Sequence, residues 1–251
     1  MSSEKATAIV LRAIEFSETS SIVTLMTREF GKIRALAKGA RRPKGPFESA
    51  LDLLGVCRIV FLRKSSDALD LLTEAKLERR FRPHGGDLSN LYAAYYVAEL
   101  LNELTDDYDP HPELFDVAEE TLAALRTSST VAPTLLRFEL IALRVLGHLP
   151  SLDTCAECGA AVEAVGRVPF SQSAGGVLCK SCRQGQKQIV SLSAGVLETL
   201  VRFSTAQNDA WRTEKLEPRT YGELRAVLNH YWTHLLGHPL RMHRYLGTTA
   251  T

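Results

Sequence analysis

The chain has little of several things that usually advertise a function. It carries two tryptophans, three methionines and five cysteines in 251 residues, and its 30 basic groups are almost matched by 29 acidic ones. A net charge of +1 excludes a uniformly basic coat of the kind that binds polyanions by charge alone. No apolar run reaches the roughly 18 residues a membrane helix needs. The start, Met1-Ser2-Ser3-Glu4-Lys5, lacks the basic flank and apolar stretch of a secretory leader, so a soluble, cytosolic protein is expected. There is no G-x-x-x-x-G-K-[ST] or G-x-G-x-x-G to cradle a nucleotide phosphate, and no G-x-S-x-G to raise a nucleophilic serine. An enzyme would need a site that these residues do not offer, and none is expected. Internal repeats and low-complexity tracts are also missing.

Charge is present, but it is segregated. Residues 1–85 carry a net +6, residues 86–150 a net −8 and residues 151–251 a net +3. A basic module joined to an acidic one follows. With 45% hydrophobic and 24% charged residues, the composition is that of a globular protein long enough for two or three small domains.

The hydrophobic period divides the chain at about residue 82. Before it, five short runs rich in β-branched and aliphatic residues read as strands: Ile9 to Ile14, Ile22 to Met26, Ile33 to Ala37, Val56 to Leu62 and Leu71 to Leu77. Five strands in this length suit a small barrel, most often an OB-fold, with an SH3-like barrel as the alternative. After residue 82 the period becomes helical. Asp87 caps a helix to about Leu104 with Leu88, Leu91, Tyr92, Tyr95 and Ala98 inward. A second helix follows Pro112, and a third, apolar on most sides, runs from about Pro133 to Leu146. Another contains Val196, Leu197, Leu200 and Val201, and Thr220 with Glu223 is expected to form a capping box opening the last one. The expected architecture is α+β: a domain over 1–82 and a helical domain over 83–251, interrupted by residues 151–190.

That interruption holds four of the five cysteines. Cys155-Ala-Glu-Cys158 and Cys179-Lys-Ser-Cys182 are two C-x2-C pairs, a spacing at which two tight turns aim four thiolates at one ion. Structural zinc is the expectation, with idle buried thiols and a redox pair as the alternatives. Four thiolates leave zinc no open position for water or substrate, so such a site holds structure instead of doing Lewis-acid chemistry. Cys57 lies mid-strand and reads as a small core residue.

The basic module concentrates its charge between Arg28 and Lys44, where Arg28, Lys32, Arg34, Lys38, Arg41, Arg42 and Lys44 face a single Glu29. Lys32, Arg34 and Lys38 fall on one face of the third strand and Ile33, Ala35 and Ala37 on the other. A solvated face is the bland reading; a track for a phosphate backbone is the functional one. Phe30 and Phe47 are the nearest aromatics, so counterion release is expected to outweigh base stacking. Four or five phosphate contacts would give a slope of about −3 in log K against log salt on single strands. His230, His234 and His238 share a helical spacing, but Gly237 and Pro239 should end the helix before the third, and no carboxylate accompanies them. Tyr92, Tyr95 and Tyr96 read as core, and the carboxylates between residues 99 and 120 as a solvated surface.

Gly31-Lys-Ile-Arg-Ala-Leu-Ala-Lys-Gly-Ala-Arg-Arg-Pro-Lys44, Arg137-Phe-Glu-Leu140 with Leu146-Gly-His-Leu-Pro150, Cys155-x-x-Cys158-Gly159, and Phe170 through Gly175-Gly176-Val177-Leu178-Cys179-x-x-Cys182 occur in this order. Together they resemble the bacterial recombination mediator family RecO over nearly the whole chain. Ser17-Glu18-Thr19-Ser20-Ser21 departs from the family's expected acidic or glycine-containing turn. The resemblance implies an N-terminal OB-fold, a C-terminal α-helical domain with a zinc knuckle, and no catalytic residues. It implies binding of single- and double-stranded DNA, strand annealing and, with RecR and sometimes RecF, help for RecA in replacing single-strand-binding protein, whose C-terminal tail is a further partner. It places Lys32, Arg34, Lys38, Arg41, Arg42 and Lys44 in the family's basic barrel segment and Cys155, Cys158, Cys179 and Cys182 in its zinc motif. A zinc-ribbon transcription regulator and a zinc-dependent nuclease or hydrolase are the competing readings.

Overall fold

A computed structural model describes residues 2–42, 45, 47, 50–64, 68–127, 130–186, 189–205, 211–212 and 214–246. The chain separates into two compact units, Met1–Ser129 and Thr130–Thr251. The first holds β1 (Ser2–Glu15), β2 (Ser21–Thr27), β3 (Gly31–Ala37), β4 (Val56–Arg63), β5 (Asp70–Arg79), α1 (Leu88–Leu104) and α2 (Pro112–Thr127). The compact unit around the strands thus extends beyond residue 82.

All five strands expected from periodicity are present, and their order β1-β2-β3-β5-β4 closes into a barrel. Closure depends on β1. Its first half pairs with β4, Ser2 opposite Arg63 through Ile9 opposite Val56, and its second half with β2, Ala8 opposite Thr27 through Glu15 opposite Ser21. A register shift between Val10 and Arg12 lets the long strand bend from one neighbour to the other. The polar start Ser2-Ser3-Glu4-Lys5 gives no strand signal by itself; only its pairing with β4 makes it one. Inside the barrel, Ala6, Ala8, Val10, Val23, Ile33, Ala35, Ala37, Ile59, Phe61 and Leu72 are buried together. Small alanines suit a narrow interior beside bulkier Ile59 and Phe61. Cys57 belongs to this core, and burial pushes its thiol up to about 12, so it stays protonated and inert.

The α1 stripe differs from the one expected. Asn90, Ala93, Ala94, Tyr96, Val97, Leu100 and Leu101 are buried together with Ala98, the one residue of the expected stripe that is fully inward; Leu91, Tyr92 and Tyr95 are only partly buried, and Leu88 is 59% exposed. The helix is apolar on several sides, and the face with small alanines goes inward because it allows close approach. Asp87 does cap it, accepting from Ser89 N at 2.8 Å.

The second unit comprises α3 (Val131–Val145), β6 (Arg167–Ser171), β7 (Gly176–Val177), β8 (Ile189–Ser193), α4 (Ala194–Thr205), α5 (Pro218–Leu236) and the short α6 (His243–Leu246). Helix α3 starts two residues before Pro133, which a first-turn proline permits because its missing N–H has no intrahelical partner there. The three-stranded sheet β7-β6-β8 has no counterpart in the sequence reading. The expected capping box does not form: α5 begins at Pro218 behind Glu217, and Glu223 instead accepts from Ser193 N at 2.7 Å and Ser193 Oγ at 2.9 Å. Arg137 and Arg144 donate to the Phe203 and Ser204 carbonyls at the end of α4, where orphan acceptors and the negative end of the helix dipole favour cations. Gly237, at φ 75°, ends α5 before His238, as the sequence indicates.

Glu139 and Arg225 form a bidentate ion pair in the interior, at 2.9 and 2.6 Å, and Trp232 Nε1 donates to the same carboxylate at 3.0 Å. Burial holds the nearby His243 imidazole down to about 4, with Arg225 acting in the same direction and Glu139 against it. A histidine that is harder to protonate in the folded state contributes stability present above its ordinary pKa of about 6.5 and lost as pH falls toward 4. The drop in thermal midpoint between pH 7 and pH 5 should therefore shrink in a His243→Gln variant; an undiminished drop would remove His243 as its cause.

Candidate nucleic-acid interface and metal centre

The face of β3 follows the period of two. Ile33, Ala35 and Ala37 are fully buried, and Lys32, Arg34 and Lys38 point outward. The outward cations are not equivalent. Arg28 holds Asp116 with two bonds at 2.7 and 2.9 Å, Arg34 Nε donates to Asp107 at 2.7 Å, and Lys32 Nζ donates to the Asn102 carbonyl at 2.7 Å. Asp107 forms a parallel bridge to Lys32, and Tyr108 N donates to Lys32 O at 2.9 Å, so the segment joining α1 and α2 lies along β3 as a strand would.

This docking is close and polar at once. Tyr108 packs against the barrel core with Arg63 stacked 4.0 Å over its ring, and its hydroxyl donates to Asp70. Burial, then the Asp70 carboxylate, raises the phenol's pKa, keeping it a donor. Gly31 permits the approach: at φ +71°, a Cβ there would lie 2.1 Å from the Asp109 carbonyl oxygen. The carboxylates between residues 99 and 120 are thus in part the counter-charges of β3, a correction to the solvated surface expected of them. The opposite net charges of the two modules were the available signal.

Beyond β3 the arrangement opens. Lys38, Arg41 and Arg42 are exposed on the loop that follows the strand, and Lys44 lies outside the described residues. Arg41 pairs with Glu15 at 2.9 Å, and its backbone N donates to Thr19 O at 3.1 Å, which fastens this loop to the β1–β2 turn. Lys38 and Arg42 have no ion-pair partner among the described residues. The aromatics nearest in sequence are spent on the core: Phe47 is buried, and Phe30 packs edge-on against Phe61 at 5.5 Å.

In the second unit, the Sγ atoms of Cys155, Cys158, Cys179 and Cys182 all lie within 4.8 Å of one another, a group that could hold a metal ion. Each pair sits on a tight turn: Gly159 N donates to Cys155 O at 2.8 Å, and Arg183 N to Cys179 O at 3.1 Å. Ala156 N donates to Val177 O, tying the first turn to β7. Gly176 lets Ser151 bridge to β7 beside it, because a Cβ there would lie 2.5 Å from the Ser151 carbonyl oxygen. Cys158 and Cys179 sulfurs are 3.8 Å apart. A tetrahedron with Zn–S distances of about 2.3 Å has edges of about 3.8 Å. Backbone N–H groups, chiefly those of Cys179 and Cys158, bring the Cys155 thiol down to about 6, and that of Cys182 lowers Cys179, whereas hydrogen bonding to the Cys179 and Cys158 sulfurs pushes Cys182 up to about 12. The cluster thus shares protons among sulfurs that a cation would displace.

Two family models match most of the chain: the N-terminal part of recombination protein O over residues 1–81 and the C-terminal part over residues 85–244. This chain belongs to the RecO family. It is 43% identical to the DNA repair protein RecO of Rhodopirellula baltica, over 95% of this chain and 97% of that one. It is 37% identical to the RecO of Anaeromyxobacter dehalogenans, over 98% and 96%, and 30% identical to that of Halalkalibacterium halodurans, over 96% and 93%. RecO similarity therefore spans the barrel, the helices and the cysteine pairs. No helix among the described residues is long and apolar enough to cross a membrane.

Proposed function

We propose that this chain is a cytosolic mediator of DNA repair and homologous recombination with no active site. It binds single- and double-stranded DNA, anneals complementary strands and, with RecR and RecF, assists RecA loading onto DNA coated by single-strand-binding protein, whose C-terminal tail it also receives. The barrel, residues 1–82 in this reading, is an OB-fold that carries the DNA contacts. The helical part, residues 83–251, receives protein partners, and its four-cysteine knuckle holds one structural zinc.

The observation that carries the reading is the exposed cluster of Lys38, Arg41 and Arg42 on a closed five-stranded barrel. Arg28, Lys32 and Arg34 contribute less, because a phosphate approaching them meets Asp107 and Asp116 as well. Glu15 is a weaker competitor for Arg41, since the pair is exposed, and exposed pairs hold by about 1 kcal/mol or less. Cations on the loop screen the repulsion between two phosphate backbones, which is the electrostatic part of the barrier to annealing.

The direct test is annealing of complementary strands precoated with single-strand-binding protein, in the absence of ATP; no acceleration would sink the proposal. Replacing Lys38, Arg41 and Arg42 by Ala should lower single-strand affinity about 100-fold at 0.1 M salt and flatten the salt slope by about 2, whatever the sequence. Arg28→Ala and Arg34→Ala should each change affinity less than about twofold. Equal losses from both sets would return the contact to β3.

A further inference from the structure

Phe16 is 61% exposed and Ile14 43% exposed at the end of β1, the largest apolar side chains left open on the barrel's β1–β2 hairpin. Neither is accounted for by core packing. Strand registers show what they belong to: Ile14 is opposite Ile22, Ile22 opposite Leu36, Leu36 opposite Leu71, and Leu71 opposite Leu62. Residues opposite one another share a face, so these five form one apolar row on the outside of the barrel, half-buried from Ile22 to Leu62 and open at Ile14. Phe16 follows the last residue of β1, its N donating to Ser20 O at 3.0 Å, and so lies on the hairpin beside the open end of the row.

Cations border the row. Arg12 is paired across β2 with the row holding Thr24 and Arg34, and Lys38, Arg41 and Arg42 follow on the loop fastened to the β1–β2 turn. The nearby carboxylates are Glu15, held by Arg41, and Glu18 in the turn. With Arg34 and the Asp107 it holds included, five cations against three carboxylates leave the border positive. An apolar face with a protruding aromatic ring and a positive border matches a polymer whose charges run along one edge and whose flat apolar faces project from the other. Double-stranded DNA hides those faces in its stack; single strands present them.

We infer that Phe16 is a stacking platform for an unpaired nucleobase, with Ile14 beneath it, while Lys38, Arg41 and Arg42 hold the adjoining phosphates. This rests on the DNA-binding reading and adds base contact to a mode that charge alone would make indifferent to bases. It makes the loop and the hairpin a single site that prefers single strands.

The test compares oligo(dT) with an abasic oligonucleotide of equal length and charge, by fluorescence anisotropy at fixed salt. The parent protein should bind oligo(dT) more tightly. Phe16→Ala should lose about tenfold or more on oligo(dT), keep its salt slope and bind the abasic chain as before, and Phe16→Tyr should retain most of the affinity. Because Phe16 is exposed, thermal midpoints should agree among the three proteins. Unchanged oligo(dT) binding in Phe16→Ala, as expected if the face receives an acidic peptide instead, overturns the inference. So does an equal loss on the abasic chain, which would make Phe16 only a support for the loop. A parent that binds neither polymer would sink the DNA-binding reading itself; a parent that binds both with a steep salt slope but no response at Phe16 sinks this inference alone.

Discussion

A protein with Cys155 and Cys158 replaced by Ser should emerge without zinc and with the segment from Ser151 to Val190 unfolded. The segment has few means of holding itself. Its sheet consists of the two-residue β7 and the five-residue β6 and β8, and its buried apolar residues are few: Leu152, Val168, Phe170, Val177 and Leu178 before the last strand. The turns around the cysteines rest on a handful of backbone hydrogen bonds, Cys155 N to Ala160 O, Gly159 N to Cys155 O and Arg183 N to Cys179 O among them. Structural zinc contributes apparent binding energies of about 10–16 kcal/mol in small peptides, comparable to the whole stability of a domain at about 5–15 kcal/mol. Loss of the ion therefore outweighs anything else a substitution here could do. Atomic spectroscopy should find one zinc per parent chain and almost none in the variant, and hydrogen exchange should show Ala156, Gly159 and Val177 amides losing protection. Full zinc content in the variant would refute the ligand set. Zinc lost with protection intact would show that the ion does not hold this fold.

The cysteine cluster was legible because ligand geometry is written in spacing: two residues between sulfurs is the length of a tight turn. The five strands were legible because one barrel face is dry, which forces the period of two through Ile33, Ala35 and Ala37. What escaped depended on partners far away in the chain. Ser2 to Lys5 is a strand only because β4 lies opposite, and Glu223 abandons its own helix start for Ser193 thirty residues earlier. Arg28, Lys32 and Arg34 look like free cations until the segment around Asp107 and Tyr108 is laid along them. The pattern within β3 could assign its outward face but not what covers that face. Phe16 gives no signal for the converse reason: in sequence the cations have Phe30 and Phe47 as their nearest aromatics, whereas the hairpin brings Phe16 beside them through the bond from Arg41 N to Thr19 O.

Glu139→Ala should destabilise the second unit by about 3–5 kcal/mol, the largest effect expected of a single substitution away from the cysteines. Glu139 is wholly buried and Arg225 is 7% exposed. Removing the carboxylate takes from the buried guanidinium the bidentate counter-charge that Glu139 supplies and takes the acceptor from Trp232 Nε1 in the same step. The loss reflects the isolated charge more than the strength of the bond, because two ions taken from water recover only part of their hydration from each other. Replacing both partners, Glu139→Leu with Arg225→Met, should therefore cost much less than either removal alone, although Trp232 Nε1 loses its acceptor. Urea unfolding followed by Trp232 fluorescence measures the cycle, with Trp211→Phe as the common background. A double variant as unstable as the sum of the singles would mean that the two residues act independently, each through its own packing against α3 and α5, and that the ion pair between these helices contributes nothing of its own.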